Sequence, residues 1–376
     1  MAKRAVCISC FDFYDHRVEL VMDQLRNQGY ECTYITGDFS HFSRQKYKID
    51  VPGGEQVPTI PYHKNMSVTR ILSHLDFTRK VYARVAELQP DLLYVMTPPN
   101  SLCRRGGRYK KKHPNVTFAV DIYDLWPETF PSSKAKKLLA LSFALWRWER
   151  DAGLKYADIV YSECDLYRQV LQGQLRGKRV YTLPICREGA TCGPDPHAPE
   201  GEALSLCYLG TVGELLDMDV VAELLRQMAA LRPVKLHIIG EGENRQLLVD
   251  RAQAAGAEVI YHGRIYDSTE RQAIFDQCHF GINIMKTSVL VGLTMKSLDY
   301  LAGGLPLLNT IEGDTRSRVA SYGAGIEVNR GDLAQTARQA AGMTGEENTR
   351  MRQNALRLFT ENYSVERVRG VLSDLR

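Results

Sequence analysis

Short apolar runs alternate with longer amphipathic stretches along the whole chain, and the alternation starts twice. In the first half AVCIS, CTYIT, DLLYVMT, VTFAVDIYD, DIVYSE and RVYTLPI read as strands. VELVMDQLRNQG, which ends at Gly29, reads as an amphipathic helix, as does the stretch from Ser67 to Pro90. On that long helix Val68, Ile71, Leu72, Leu75, Val81, Tyr82, Val85 and Leu88 form the expected buried side. The pattern restarts at LSLCYLG and runs through VKLHII, EVIYHG, FGINIM and GIEV, with helical stretches such as VVAELLRQMAAL and STERQAIFDQ between them. Alternation of this kind means a parallel sheet with helices on both faces, and its repetition means two such domains with a cleft between their ligand-bearing edges.

Two stretches break the pattern. Gly37 to Met66 is basic and aromatic without periodicity, and is expected to be a surface excursion. CREGATCGPDPHAPEG, rich in glycine and proline, reads as a linker and sets the domain boundary near residue 190. The expected domains are therefore 1–190 and 191–360, with 361–376 as a terminal helix.

The stretch from Lys286 to Thr310 reads as loop, helix, turn and buried strand. Thr294 is placed to cap the helix, Met295, Leu298 and Ala302 to form its buried face, and Gly303 with Gly304 to end it in a left-handed turn. Lys296 and Asp299 fall on one side, away from that face. A lysine in a first turn opposes the helix dipole, which suggests an anion at the same spot. A routine Lys296–Asp299 contact within the helix is the plainer reading.

Loops that follow strands of a parallel sheet lie at its carboxyl edge, where ligands bind. This places Asp12, Tyr14, Asp15, His16 and Arg17 to meet a substrate, with helix capping an equal alternative for Asp15. Asp124-Leu125-Trp126-Pro127-Glu128 sits at a second such edge. The helix after it combines Lys134, Lys136 and Lys137 with Leu138, Leu139, Leu141, Phe143, Leu145, Trp146 and Trp148. That make-up suits a membrane interface or a core helix.

Composition narrows the class. The chain has 376 residues, 44% hydrophobic and 24% charged, an ordinary globular balance. Its net charge of +4 hides an asymmetry: residues 1–187 hold 29 Lys/Arg against 19 Asp/Glu, and the remainder 19 against 25. A basic cluster, Arg104, Arg105, Arg108 and Lys110 to Lys112, is either a solvated face or a contact for phosphate groups. Nucleic acid is not the expected partner, since no binding motif accompanies the cluster. Nine cysteines without zinc-ligand spacing point to reduced thiols, and the Cys7-Cys10 pair to core packing. The apolar run in MAKRAVCISC is too short for a signal peptide, so a cytoplasmic setting is expected.

Gly240-Glu241-Gly242 follows a strand but lacks the third glycine of a dinucleotide fingerprint. Walker, HExxH and GxSxG motifs are also absent from the sequence. Asp217-Met218-Asp219 matches a metal-holding DxD, with helix capping the favoured job for Asp219.

In order, YLGTVG, LHIIGEGENRQLL, VIYHGRI, INIMKTSVLVGLTMKSLDYLAGGLPLLNT and YGAGIEV resemble the carboxyl-terminal domain of GT-B glycosyltransferases of family four, over nearly all of residues 204–330. AspLeuTrpProGlu is similar to bacterial enzymes that extend lipid-linked surface polysaccharides. The resemblance implies two Rossmann-like doubly wound domains and retaining, metal-independent transfer of a sugar from a nucleoside diphosphate donor to a glycan or lipid-linked glycan. No cofactor is implied beyond that donor, and contact with the inner membrane face fits such an acceptor. Lys296 and Asp124 would then be catalytic. Thr211, Gly213, Arg264, Ile265, Gly292, Leu293, Thr294 and Asp299 would bind the donor, and Asp15, His16, Tyr123, Trp126 and Glu128 would lie on the acceptor side. Relatives usually carry two glutamates with seven residues between them across the loop and helix; here Asp299 keeps the second carboxylate and Val291 replaces the first. Tyr123 stands before Asp124 where a histidine is frequent. Two rivals follow: a nucleotide-sugar-binding accessory protein without catalysis, and a sugar-nucleotide epimerase.

Overall fold

A computed structural model describes residues 2–64, 67–130, 140–373 and 375. The chain divides into two compact units, residues 1–183 together with 369–376, and residues 184–368.

In the first unit seven strands pair in parallel: β1 (Lys3–Ile8), β2 (Tyr30–Gly37), β3 (Gly54–Val57), β4 (Leu92–Thr97), β5 (Thr117–Ile122), β6 (Ile159–Ser162) and β7 (Arg179–Thr182). Their order, β3-β2-β1-β4-β5-β6-β7, reverses direction between β1 and β4. The expected excursion after Gly37 therefore contains an edge strand, β3, which pairs with β2 from Tyr34↔Gly54 to Gly37↔Val57. GEQV is half-buried throughout and has no apolar alternation to betray it.

The helices are α1 (Asp15–Asn27), α2 (Val68–Leu88), α3 (Asn100–Lys112), α4 (Ala140–Leu154) and α5 (Asp165–Val170). Lys134, Lys136, Lys137, Leu138 and Leu139 of the expected interfacial helix lie outside the described residues. α2 does not bury the stripe its spacing suggests. Val81, Tyr82 and Val85 are inside, but Val68 is 71% exposed, Leu72 52% and Leu75 47%, while Arg70, Ser73, Phe77 and Thr78 face inward.

α3 is the basic cluster, helical despite Gly106 and Gly107. A Cβ on Gly106 would stand 2.4 Å from the Phe118 ring, one on Gly107 2.9 Å from Gly153, and one on Gly153 2.2 Å from the Cys103 carbonyl oxygen. The glycines let α3 lie directly on β5 and α4, which outweighs their low helix propensity. Inside the sheet Arg17 holds Asp121 with two hydrogen bonds, Nε at 2.6 Å and a terminal nitrogen at 3.0 Å.

The second unit repeats the plan. Strands β8 (Leu204–Leu209), β9 (Val234–Ile239), β10 (Ala257–Gly263), β11 (Phe280–Asn283), β12 (Leu307–Asn309) and β13 (Gly325–Glu327) pair in parallel in the order β10-β9-β8-β11-β12-β13. Here the order reverses between β8 and β11. The helices are α6 (Met218–Ala229), α7 (Arg245–Ala254), α8 (Ser268–Phe275), α9 (Met295–Ala302), α10 (Asp314–Tyr322), α11 (Leu333–Ala341) and α12 (Gly345–Tyr363). α10 occupies much of what reads as a loop after β12. The core lies between the sheet and these helices, with Leu206, Leu225, Leu236, Ile238, Phe280 and Ile282 among its members.

Candidate functional site

Strand reversal leaves a crevice at the carboxyl ends of the central strands, and in doubly wound sheets ligands settle there. In the second unit this edge is formed by the loop after β8, the loop after β11 and the start of α9. The loops are joined by backbone: the Lys286 amide donates to the Leu215 carbonyl at 3.0 Å, and Leu216 bridges Met285. The turn after β9 locks onto them. A Cβ on Gly240, whose φ is +137°, would stand 2.1 Å from the Gly210 carbonyl oxygen, and one on Gly242 2.2 Å from that of Val212. The Gly240 amide donates to the Gly263 carbonyl at 2.7 Å, which ties the end of β10 to the same edge.

α9 starts as its sequence predicts. The Thr294 hydroxyl accepts the Ser297 amide at 3.2 Å, and the amides of Met295 and Lys296 precede the helical ladder. Leu298 and Ala302 are buried as expected, but Met295 is 47% exposed, and Tyr300 with Leu301 completes the inward face. The left-handed stop is Gly304 alone, at φ +61°.

Lys296 is partly buried and forms no ion pair with any described residue. Its ammonium lies 5.0 Å from the centre of the Tyr208 ring, and burial lowers its pKa to about 8. Tyr208 donates its hydroxyl to the Thr211 carbonyl at 2.8 Å, so one buried ring links Thr211 to Lys296. Sequence reasoning missed Tyr208; the signal was an aromatic residue on the inward face of β8, two residues after Leu206.

The plain reading of an internal Lys296–Asp299 contact fails. Asp299 instead accepts from Arg187 Nε at 3.0 Å. Gly292 accepts from the Thr315 amide at 3.0 Å and the Thr315 hydroxyl at 2.6 Å, and Leu293 is buried. Arg264 is exposed and Ile265 half-exposed, two strands away from β8, with Arg264 in no ion pair among the described residues. Gly213 is half-buried on the turn where its amide meets the Thr211 carbonyl. Within Asp217-Met218-Asp219 the cap is Asp217, not Asp219. Asp217 accepts the Val220 amide and also binds Arg330, and Asp219 pairs with Arg251.

The first unit holds the remaining candidates. Asp15 opens α1 rather than capping it, and accepts the Tyr34 hydroxyl at 2.5 Å. Burial, against the opposing effect of that bond, pushes its carboxyl up to about 6. His16 is exposed, whereas Arg17 is withdrawn into its pair with Asp121 and does not face solvent as expected. Burial also raises Asp124, which accepts the Thr129 hydroxyl at 2.5 Å. Tyr123 lies under the Arg17 guanidinium, 5.2 Å from ring centre to carbon. Glu128 is occupied by Arg150 at 2.7 Å and Arg147 at 2.9 Å, so it anchors α4 and is not free for an acceptor. Trp126 stacks on Trp146 at 5.7 Å.

Residues 206–344 match the family model described as Glycosyl transferases group 1. Among curated proteins no sequence matches. Solved structures with the same fold include sucrose-phosphate synthase from Thermosynechococcus elongatus, at TM-score 0.71 and 12% identity, covering 99% of this chain and 98% of that one. HepE from Anabaena in complex with UDP and glucose reaches TM-score 0.63 at 12% identity, covering 99% of each chain. WaaG, a glycosyltransferase involved in lipopolysaccharide biosynthesis, reaches 0.61 at 14% identity, covering 99% of each. The chain thus has the GT-B fold of two parallel-sheet α/β domains. The match to group 1 glycosyl transferases lies within its second unit.

Proposed function

We propose that the protein moves a sugar, with retention and without a metal, from a nucleoside diphosphate donor to a lipid-linked glycan in surface polysaccharide synthesis. The observation that carries this reading is Lys296: an ammonium without a carboxylate partner among the described residues, partly desolvated, in the first turn of α9 at the strand reversal. As the bond between sugar and diphosphate breaks, the leaving group gains negative charge. Lys296 and the amides of Met295 and Lys296 are set to stabilise it without reorganising. Asp299, held by Arg187, orients the ribose hydroxyls, and Gly292, Leu293 and Thr294 border the sugar and phosphates. Thr211 and Gly213 flank the diphosphate, while Arg264 and Ile265 meet the base. The HepE structure, which holds UDP, supports a uridine donor as the first to try.

In the first unit Asp124 serves the reacting acceptor hydroxyl, with Asp15, His16, Tyr123 and Trp126 around the acceptor. Among the described residues no helix is long and apolar enough to cross a membrane. The apolar residues exposed on α2 and α4 favour peripheral contact with the cytoplasmic membrane face.

The test is incubation with a panel of radiolabelled sugar nucleotides, with and without bacterial membrane lipids and with and without a chelator. Lipid-dependent, chelator-resistant transfer is expected. Binding without turnover would favour an accessory protein, and epimerised free donor an epimerase. If Lys296→Ala left donor affinity and transfer intact, the assignment of the site would be wrong.

A further inference from the structure

The first unit contains a cavity of about 250 Å³ that the proposed chemistry does not use. α2, the start of α3, Trp126 and α4 enclose it, with Val68, Ile71, Leu75, Pro98, Trp126 and Trp146 on its walls. Arg70, His74, Asn100, Ser101 and Glu149 also border it, and among the described residues Asn100 Oδ1 and His74 Nε2 have no hydrogen-bond partner. Asn100 is only 6% exposed and is fixed by its other amide atom, which donates to the carbonyls of Trp126 at 2.9 Å and Trp146 at 3.0 Å. Unsatisfied buried polar atoms are costly, so both are waiting for a ligand group. Burial and the neighbouring Arg70 depress His74 to about 3, so its ring is neutral and offers either a donor or an acceptor.

The rim of the cavity is as unusual as its floor. Val68, Ile71, Leu72 and Leu75 of α2 and Leu141, Leu145 and Trp148 of α4 are all exposed. On α3, Arg105 and Arg108 are exposed and in no ion pair among the described residues. Arg104 lies 4.1 Å from the Trp148 ring centre, where basic and apolar surfaces meet. Polar side chains such as Ser101 and Glu149 touch the space, but its aliphatic and indole walls would leave many hydroxyls of a free glycan without a partner. A hydrocarbon chain with a polar, anionic head matches walls, floor and rim together.

We propose that this cavity receives the isoprenoid or acyl chain of the lipid-linked acceptor, with Asn100 and His74 holding the polar junction and the α3 cations its phosphate. This rests on the reading of the acceptor as lipid-linked. Trp126 then connects the AspLeuTrpProGlu segment to the lipid rather than to the sugar.

The test is to titrate the full chain with farnesyl phosphate and with inorganic phosphate while recording tryptophan emission, since two of the three tryptophans line the cavity. A saturable shift with farnesyl phosphate and none with phosphate is expected. Ile71→Asp, which charges the wall, and Ser142→Trp, which fills the cavity, should each weaken binding about tenfold, a change of about 1.4 kcal/mol. Leu231→Asp, 52% exposed in the second unit and outside both the lining and the rim, should leave it unchanged. Equal binding of inorganic phosphate, or equal weakening by Leu231→Asp, would overturn the proposal. A thermal shift by UDP, followed in every variant, reads the second unit separately. Its loss with farnesyl phosphate binding intact would strike the donor site and support the cavity.

Discussion

Arg187 donates to the Asp299 carboxylate at 3.0 Å, and this leaves Lys296, one turn earlier on the same helix, without a counter-charge among the described residues. On the proposed reading the pair keeps one carboxylate for neutral hydroxyls and leaves the cation for an anion. Asp299→Ala should lower UDP affinity about tenfold, near 1.4 kcal/mol, and narrow the gap between UDP and its 2′-deoxy analogue. Arg187→Ala should move both quantities in the same direction by less. Calorimetric titration with the two nucleotides measures this.

Lys296 titrates near pH 8 in the folded chain and far higher when unfolded. UDP affinity should therefore fall as pH rises through about 8, and Lys296→Met should flatten the profile. Stability runs the other way. Below pH 8 the fold bears the cost of a charged, desolvated ammonium, which fades as pH rises between the folded and unfolded pKa values. Without ligand at pH 7, Lys296→Met should unfold at a higher temperature than the native chain while binding UDP at least tenfold more weakly.

The Arg17 and Asp121 charges are both buried, so removing one strands the other. Arg17→Met should destabilise the protein by about 3–5 kcal/mol, read from urea unfolding of the full chain. The loss should appear without any change in the UDP affinity of chain that remains folded.

Val68 and Leu72 follow a helical stripe yet face solvent. Val68→Ser and Leu72→Gln should change stability by no more than about 0.5 kcal/mol, whereas Phe77→Ala, inside the same helix, should cost about 3–5 kcal/mol. Thermal unfolding separates the two sets. A large loss from Leu72→Gln would mean that this face is covered in the folded chain.

The two-sheet plan was legible because each strand of a buried parallel sheet is a continuous apolar run, and VTFAVDI or LHIIG can hardly be anything else. The short elements were not. β3 reads GEQV, and its pairing comes from β2 rather than from its own pattern. α3 hid behind two glycines whose purpose is contact with Phe118 and Gly153, residues distant in sequence. At the site, the Thr294 cap and Lys296 were visible because capping and helix dipoles are local. The partner of Asp299 was not, since Arg187 lies 112 positions away in a stretch without periodicity. For the same reason Glu128 looked available: its hold on Arg150 depends on how α4 returns. The apolar half of α2 misled for a different reason, because spacing shows which residues share a face and says nothing about whether protein or something else covers it.

Gly240 and Gly242 meet the backbone of Gly210 and Val212 main chain against main chain, with no room for a methyl group on either. A wall made of peptide units keeps its shape whatever the side chains around it become. If the proposed donor sits here, mutational drift can alter which base or sugar is read while the diphosphate stays moored in place, so donor preference should be easier to re-engineer than donor binding is to create.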